Sequence, residues 1–354
     1  MAGSTTDLSP EARANYDAII DVRSPAEFAE DHLPGAINLP VLDDAQRAEI
    51  GTIYVQTSKF LARRQGAAMV ARNIAAHLEG PLAERTGGFR PLVYCWRGGQ
   101  RSGAMATVMS QVGWPVTRLE GGYQTWRRRV LSRLYDPAGH GPDFRCILLD
   151  GPTGSGKTAV LGLLAERGVQ VVDLEGLAHH RGSLFGASDQ PQPRQRLFES
   201  HLLEALERLD PARPIVVESE SSRIGALTLP PRLWAAMKIA PRIELVASRE
   251  ARARLSLDSY ASVAADPAAL DQTLSRLPWR HGRAQIAAWR TLASAGDLLS
   301  LVDGLLEIHY DPAYRRAASR FAPAVAAVPS PVFGDPSERD AALDRIEATI
   351  SALG

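Results

Sequence analysis

The stretch Cys146-Ile147-Leu148-Leu149-Asp150, continued as Gly151-Pro152-Thr153-Gly154-Ser155-Gly156-Lys157-Thr158, decides the fold of the second half of the chain. An apolar strand runs into a loop of the form G-x-x-x-x-G-K-[ST], and a helical segment, 159–167, follows. The motif requires that order of strand, loop and helix. Gly151, Gly154 and Gly156 let backbone N–H groups, with Ser155 among them, approach phosphate oxygens. Lys157 neutralises the terminal charge, and Thr158 is placed to ligate Mg²⁺. Lys59, Lys157 and Lys238 are the only lysines among 40 basic residues, so a lysine inside the motif stands out against an arginine background.

Working outward, Val169–Val172, Ile215–Val217 and Ile243–Val246 read as further buried strands. After Glu250 the pattern turns helical, with Trp279, Trp289 and many alanines. Strands separated by helices predict a parallel α/β sheet, here a P-loop domain over 144–320 with a helical extension. Asp173 and Glu218 each end a strand and qualify to hold Mg²⁺ through water; His179, His180 and Arg181 follow the first of them. The segment 321–354 carries Pro323, Pro329, Pro331 and Pro336 and one short helix, and is expected to be a tail that packs as an appendage or an oligomer contact.

Upstream, Asp136–Asp143 is rich in Gly and Pro and predicts a linker. Residues 1–135 alternate short strands (17–22, 36–39 and 91–94) with helices. Ser24-Pro25 starts one helix as cap and first residue. A long amphipathic helix is expected from Val55 to Leu78, with Phe60, Leu61, Ile74 and Leu78 largely on one face.

With 354 residues, 45% hydrophobic and 23% charged, the chain is globular and of two-domain size. No apolar run approaches the ~20 residues that span a bilayer. The first residues lack an apolar signal core, and a cytoplasmic location is expected. Basic and acidic residues balance at 40 each, so net charge names no polyanionic partner, although a local basic face could still bind one. Cys95 and Cys146, the only cysteines, exclude a disulfide scaffold and a Cys-rich zinc site.

Cys95 closes the strand at 91–94 and opens Cys95-Trp96-Arg97-Gly98-Gly99-Gln100-Arg101-Ser102, ahead of a helix from Ala104. Such a loop turns backbone N–H groups inward at a helix N-terminus, which favours negative charge on sulfur; Arg97 and Arg101 would add to it. The same cradle suits a phosphate-like oxyanion or a terminal persulfide. Trp96 either stacks a base or packs in the core.

Asp21-Val22-Arg23-Ser24-Pro25-Ala26-Glu27-Phe28, His32-Leu33-Pro34-Gly35-Ala36-Ile37-Asn38, the Cys95 loop, and Glu120-Gly121-Gly122-Tyr123 with Trp126 together resemble a rhodanese domain. The resemblance implies a parallel-sheet fold over residues 15–130 and a cysteine that accepts sulfur or selenium. Asp21 and Arg23 are also placed to form an ion pair. The Cys-x5-Arg-Ser loop is one residue longer than in ordinary sulfur-transferring rhodaneses and resembles rhodanese-fold phosphatases, which implies a bulkier, phosphorylated donor.

A rhodanese domain joined to a P-loop domain is similar to the tRNA 2-selenouridine synthase family. Further support comes from Asp173–Ser183, Val217-Glu218-Ser219-Glu220-Ser221, and the insertion carrying Val41-Leu42-Asp43-Asp44 and Gly51-Thr52-Ile53-Tyr54. That resemblance implies replacement of sulfur by selenium in wobble 2-thiouridine of tRNA. It further implies selenophosphate and geranyl diphosphate as co-substrates, an S-geranylated intermediate, and an enzyme that makes selenophosphate as a partner. Arg127, Arg128, Arg129 and Arg133 are then candidate tRNA contacts, as are Arg249, Arg252 and Arg254. A rhodanese-type sulfurtransferase or a cysteine phosphatase carrying an ATP/GTP-binding regulatory domain also fits the motifs.

Overall fold

The computed structural model describes residues 2–136, 144–180, 190–219, 221–259, 267–275, 277, 281–319 and 321–353. The predicted linker beyond Asp136, together with Arg181, Gly182, Ser183, Glu220 and Trp279, lies outside them. The chain forms two compact units that do not follow sequence order. Met1–Gly141 with Arg194–Arg208 makes one, and Pro142–Pro193 with Leu209–Gly354 the other.

The first unit is built on five parallel strands: β1 (Gly3–Thr5), β2 (Ala18–Asp21), β3 (Ala36–Asn38), β4 (Pro91–Tyr94) and β5 (Thr117–Leu119), in the order β1-β5-β4-β2-β3. Parallel strands covered on both faces read as unbroken apolar runs, and β4 is buried along its whole length. Ile20, Val22, Val93, Met105 and Met109 form its core. The register pairs Asp21 with Tyr94, so the carboxyl ends of β2 and β4 stand side by side. Ser24 and Pro25 start the helix Pro25–Glu30 as the sequence predicts, through a capping box with Glu27.

The helix expected over 55–78 is present as Lys59–Glu79, but its start differs: Val55 and Gln56 end a separate helix, Asp44–Gln56. Ser58 divides them: its Oγ accepts from the Leu61 N–H and caps the second helix. The break turns Phe60 outward, 73% exposed, although the periodicity placed it on the apolar face.

The helix Gln195–Glu207 lies in the P-loop half of the sequence yet packs in the first unit. Phe198, Leu202, Leu203 and Leu206 are buried along one face. Its polar groups meet the rest of the unit: the Trp126 Nε1–H donates to Ser200 Oγ (2.9 Å), and Ser200 Oγ donates to Asp31 Oδ1 (2.7 Å).

The second unit carries five parallel strands: β6 (Cys146–Asp150), β7 (Val171–Val172), β8 (Ile215–Glu218), β11 (Arg242–Val246) and β12 (Ala324–Pro329), ordered β12-β11-β6-β8-β7. A two-stranded antiparallel ribbon pairs β9 (Arg223–Ile224) with β10 (Leu227–Thr228). The helical stretch expected after Glu250 is present as Arg249–Ser259, Pro267–Ser275, Gly282–Ser294, Leu298–Leu305 and Asp311–Ala318. Their small core centres on Leu274, Trp289, Leu301 and Leu305.

The segment after 320 is not an appendage. It supplies β12, which covers the edge of β11, and the helix Pro336–Leu353, whose Leu343, Ile346 and Ile350 enter the core with Leu149, Val160 and Val216. An alanine-rich strand between prolines carries little propensity signal, so the sheet partner decides it. Among the described residues no helix is long and apolar enough to cross a membrane.

Candidate functional site

The cysteine site sits where β4 ends. Cys95 is buried, with Sγ 3.2 Å from Ser102 Oγ on the first turn of the helix Gln100–Val112. Gly99 is the residue before that helix, so the sulfur lies at its N-terminus as the sequence suggests. The loop is held from behind by Glu120-Gly121-Gly122-Tyr123: the Tyr123 N–H donates to the Cys95 carbonyl (2.8 Å). Gly122 has φ +59°, and a Cβ there would stand 2.1 Å from that carbonyl. Only glycine admits this approach, which is the physical content of the paired glycines.

Beneath the loop, Asp21 and Arg23 form the expected ion pair, fully buried, with Nη2 2.6 Å from Oδ2. The same Nη2 donates to the Asp31 carbonyl (2.6 Å), and the guanidinium lies 4.1 Å from the Tyr123 ring centre. Trp96 packs against Tyr123 with centroids 5.1 Å apart and is half-buried.

Arg101 points away from the role given it by spacing alone. Its guanidinium grips Glu27, Nη1 to Oε2 at 2.7 Å and Nη2 to Oε1 at 3.3 Å. Arg47 reaches the same carboxylate at 2.9 Å. Burial pushes the Glu27 carboxyl up, but Arg101 and Arg47 outweigh it and hold the group below its ordinary value. Arg97, Gly99 and Gln100 are exposed at the rim, with Gly98 half-buried. Cys146, by contrast, is a core residue of β6, and burial pushes its thiol up to about 12.

In the second unit the loop Gly151–Gly156 follows β6 and runs into the helix Lys157–Glu166. Gly154 and Gly156 take positive φ, Lys157 Nζ donates to the Gly151 carbonyl (3.0 Å), and Thr158 is exposed on the first turn. Three outer contacts fix the loop. The Gly151 N–H donates to Asp150 Oδ1 (2.8 Å), and Asp150 forms a buried ion pair with Arg242. Arg252 Nη1 donates to the Thr153 carbonyl (3.0 Å) while the guanidinium is clamped on Asp311 at 2.8 Å. Ser330 Oγ donates to the Ser155 carbonyl (2.7 Å).

Of the two acidic candidates, Glu218 has the better place. It is buried at the carboxyl end of β8, in register with Leu149 of the strand that feeds the loop. Asp173 lies after β7, with β8 between it and β6, and its carboxylate caps the helix Leu174–Ala178 by accepting from the Gly176 N–H (2.7 Å). His179 takes φ +48° as the residue closing that helix, and its Nδ1 lies 3.2 Å from the Pro191 carbonyl. Arg181 is outside the described residues.

Most of the arginines proposed for tRNA have other partners. Arg127 pairs with Glu199, and Arg129 and Arg133 reach Glu207 at 2.8 and 3.9 Å. Arg249 pairs with Asp303 and Glu307, and Arg252 is buried on Asp311. Arg254 pairs with Glu250 one turn away. A neutralised guanidinium offers little to a phosphate. Arg128 is exposed, beside Thr125, near the Gly121 turn. Ser330 and Asp31 escaped sequence reasoning, as did these roles of Arg252 and Glu27, because each acts through a partner far along the chain.

Comparison with known proteins bears on both units. The family model described as the tRNA 2-selenouridine synthase AAA domain matches residues 144–328, and that of the rhodanese-like domain matches 7–129. A tRNA 2-selenouridine synthase of Nitrosomonas europaea is 38% identical over 216 residues, covering 60% of this chain and 55% of that protein. One from Cupriavidus pinatubonensis is 37% identical over 250 residues, covering 68% and 65%. A third, from a Sulfurovum species, is 34% identical over 253 residues, covering 71% and 68%. The match thus spans less than two thirds of the length of the first two.

Proposed function

The chain belongs to the tRNA 2-selenouridine synthase family, and from that premise we propose that it replaces sulfur by selenium at position 2 of wobble 2-thiouridine in tRNA. Selenophosphate is the selenium donor, and the route runs through an S-geranylated nucleoside made from geranyl diphosphate. The observation that supports this most is one chain holding two loops suited to anions of different kinds: one that carries a cysteine, Cys95, at a helix N-terminus and a phosphate loop that carries none.

The chemistry needs both. A thiocarbonyl sulfur leaves poorly, so it is alkylated first. Its lone pair attacks C1 of the prenyl group, the C1–O bond breaks, and diphosphate departs with the electron pair. The loop Gly151–Thr158 holds that diphosphate through backbone N–H groups and Lys157. Thr158 and Glu218 fit a Mg²⁺ ion that would neutralise the leaving group. Selenium then adds at C2 and expels geranylthiol.

Cys95 handles the second donor. Its loop cradles selenophosphate as an anion, and the Cys95 sulfur attacks phosphorus: the S–P bond forms, the P–Se bond breaks and selenide leaves. Water then attacks the phosphorus of the S-phosphocysteine, the S–P bond breaks, phosphate leaves and the thiol is restored. No external oxidant is required, and the phosphatase-like length of the loop suits a phosphorus centre. Arg97 and Arg128, exposed near the cysteine loop, are the contacts proposed for tRNA phosphates. A cytoplasmic setting and an enzyme supplying selenophosphate complete the scheme.

The test is reconstitution. The purified chain, an RNA stem-loop bearing 2-thiouridine, geranyl diphosphate and selenophosphate are incubated, and the nucleosides are weighed by mass spectrometry. The 2-selenouridine mass is expected only when both donors are present. Unchanged 2-thiouridine with both donors, together with hydrolysis of p-nitrophenyl phosphate through Cys95, would favour a phosphatase instead.

A further inference from the structure

The sheet of the second unit changes direction at β6. The chain places β8 and β7 on one side and β11 and β12 on the other. Open α/β sheets bind ligands outside the carboxyl ends of their strands at such a switch point, and the phosphate loop occupies it. Glu218 lies on the β8 side. On the opposite side, past the ends of β11 and β12, is a cavity of about 430 Å³, within the ~300–1,000 Å³ range of small-molecule sites.

Its walls are mostly apolar, with Val246 and Ala251, Pro329 and Phe333, Ala341 and Ala342 among them. It shares a wall with the phosphate loop, because Ser330 both lines it and donates to the Ser155 carbonyl. Val332 presses against the loop from the same segment: a Cβ on Gly156 would stand 2.8 Å from its Cγ2. We propose that this cavity holds the hydrocarbon chain of the diphosphate donor while the loop holds its diphosphate. The inference rests on the prenyl diphosphate role proposed above and adds the site that recognises the prenyl group.

The polar groups of the cavity argue against a nucleotide base as its occupant. Ser330 Oγ is committed to Ser155, and Ser248 Oγ accepts from the Ala251 N–H (3.2 Å). Glu338 accepts from the Asp335 N–H (3.2 Å) in the cap of its own helix. Arg345, the other polar side chain of the lining, offers donors alone, so most edge groups of a base would go unmatched and lose the hydrogen bonds they had in water. A hydrocarbon loses nothing there and gains by leaving water.

Calorimetric titration of the full chain tests this with geranyl diphosphate, inorganic diphosphate and GTP as probes. Wild type should bind geranyl diphosphate at least tenfold more tightly than inorganic diphosphate. Ala341→Trp, which fills the cavity from an exposed helix position, and Phe333→Ser, which removes a wall, should each bring that ratio towards one and leave inorganic diphosphate binding unchanged. Lys157→Ala should weaken both diphosphates. Equal affinities in wild type, or a ratio that neither variant changes, overturn the cavity assignment while the Lys157 effect keeps diphosphate on the loop. Tight GTP binding lost in both cavity variants also overturns it and gives the cavity to a nucleotide. Diphosphate binding indifferent to Lys157 defeats the function proposed above, and this inference with it.

Discussion

Asp31 carries an unusual load for one side chain. It is 1% exposed, and its carboxylate accepts from Tyr123 Oη and Ser200 Oγ, both at 2.7 Å. Burial pushes its carboxyl up to about 6, against the pull of those hydrogen bonds. The sign follows from linkage. Between about pH 4 and pH 6 the folded chain keeps a proton that the unfolded chain has released, so this group's contribution is full below that window and is lost as pH rises through it. About two pH units correspond to roughly 3 kcal/mol at neutrality. Asp31→Asn keeps the shape, offering Oδ1 to Ser200 and Nδ2 to Tyr123, and carries no charge. Denaturant unfolding across pH should show the variant gaining on wild type by roughly that amount between pH 4 and pH 7. A difference that stays constant with pH contradicts the assignment.

At the level of elements, the last strand and helix matter most. Ile346 is fully buried in the core of the second unit. Ile346→Ala should cost about 2–5 kcal/mol in unfolding free energy, as for other large-to-small core changes. Diphosphate binding should fall with it when measured near the unfolding midpoint. An unaltered midpoint would mean that the helix Pro336–Leu353 is dispensable. What the sequence shows at this scale is uneven, for physical reasons. β6, β8 and β11 are apolar runs, and the two loops announce themselves through glycines whose roles are local. β12 is alanine-rich and becomes a strand only by pairing with β11. The helix Gln195–Glu207 belongs with the first unit because Glu199, Glu204 and Glu207 meet Arg127, Arg13 and Arg129. No local pattern advertises pairs so far apart, so the carboxylates that engage Arg127, Arg129 and Arg133, all candidates for tRNA, are not legible in the sequence.

Across the whole molecule, each unit contributes one cradle, and the proposed function gives the two sites separate duties in one reaction sequence. The cysteine loop is built from β4 and backed by Gly122; the phosphate loop is built from β6 and braced by Arg252 and Ser330. Lesions in the two should therefore stop the reaction at different points. Lys157→Ala removes a charge-assisted contact to phosphate worth about 1.5–3 kcal/mol, which weakens donor binding roughly tenfold or more. Cys95→Ser is nearly isosteric and leaves alkylation intact, because that step needs no thiol. The decisive measurement is liquid chromatography with mass detection of the nucleosides from 2-thiouridine RNA treated with each variant and both donors. Lys157→Ala should leave mostly 2-thiouridine, and Cys95→Ser should accumulate the S-geranylated nucleoside without 2-selenouridine. If Cys95→Ser yields only 2-thiouridine, or makes 2-selenouridine at the wild-type rate, the division of labour between the two sites is wrong.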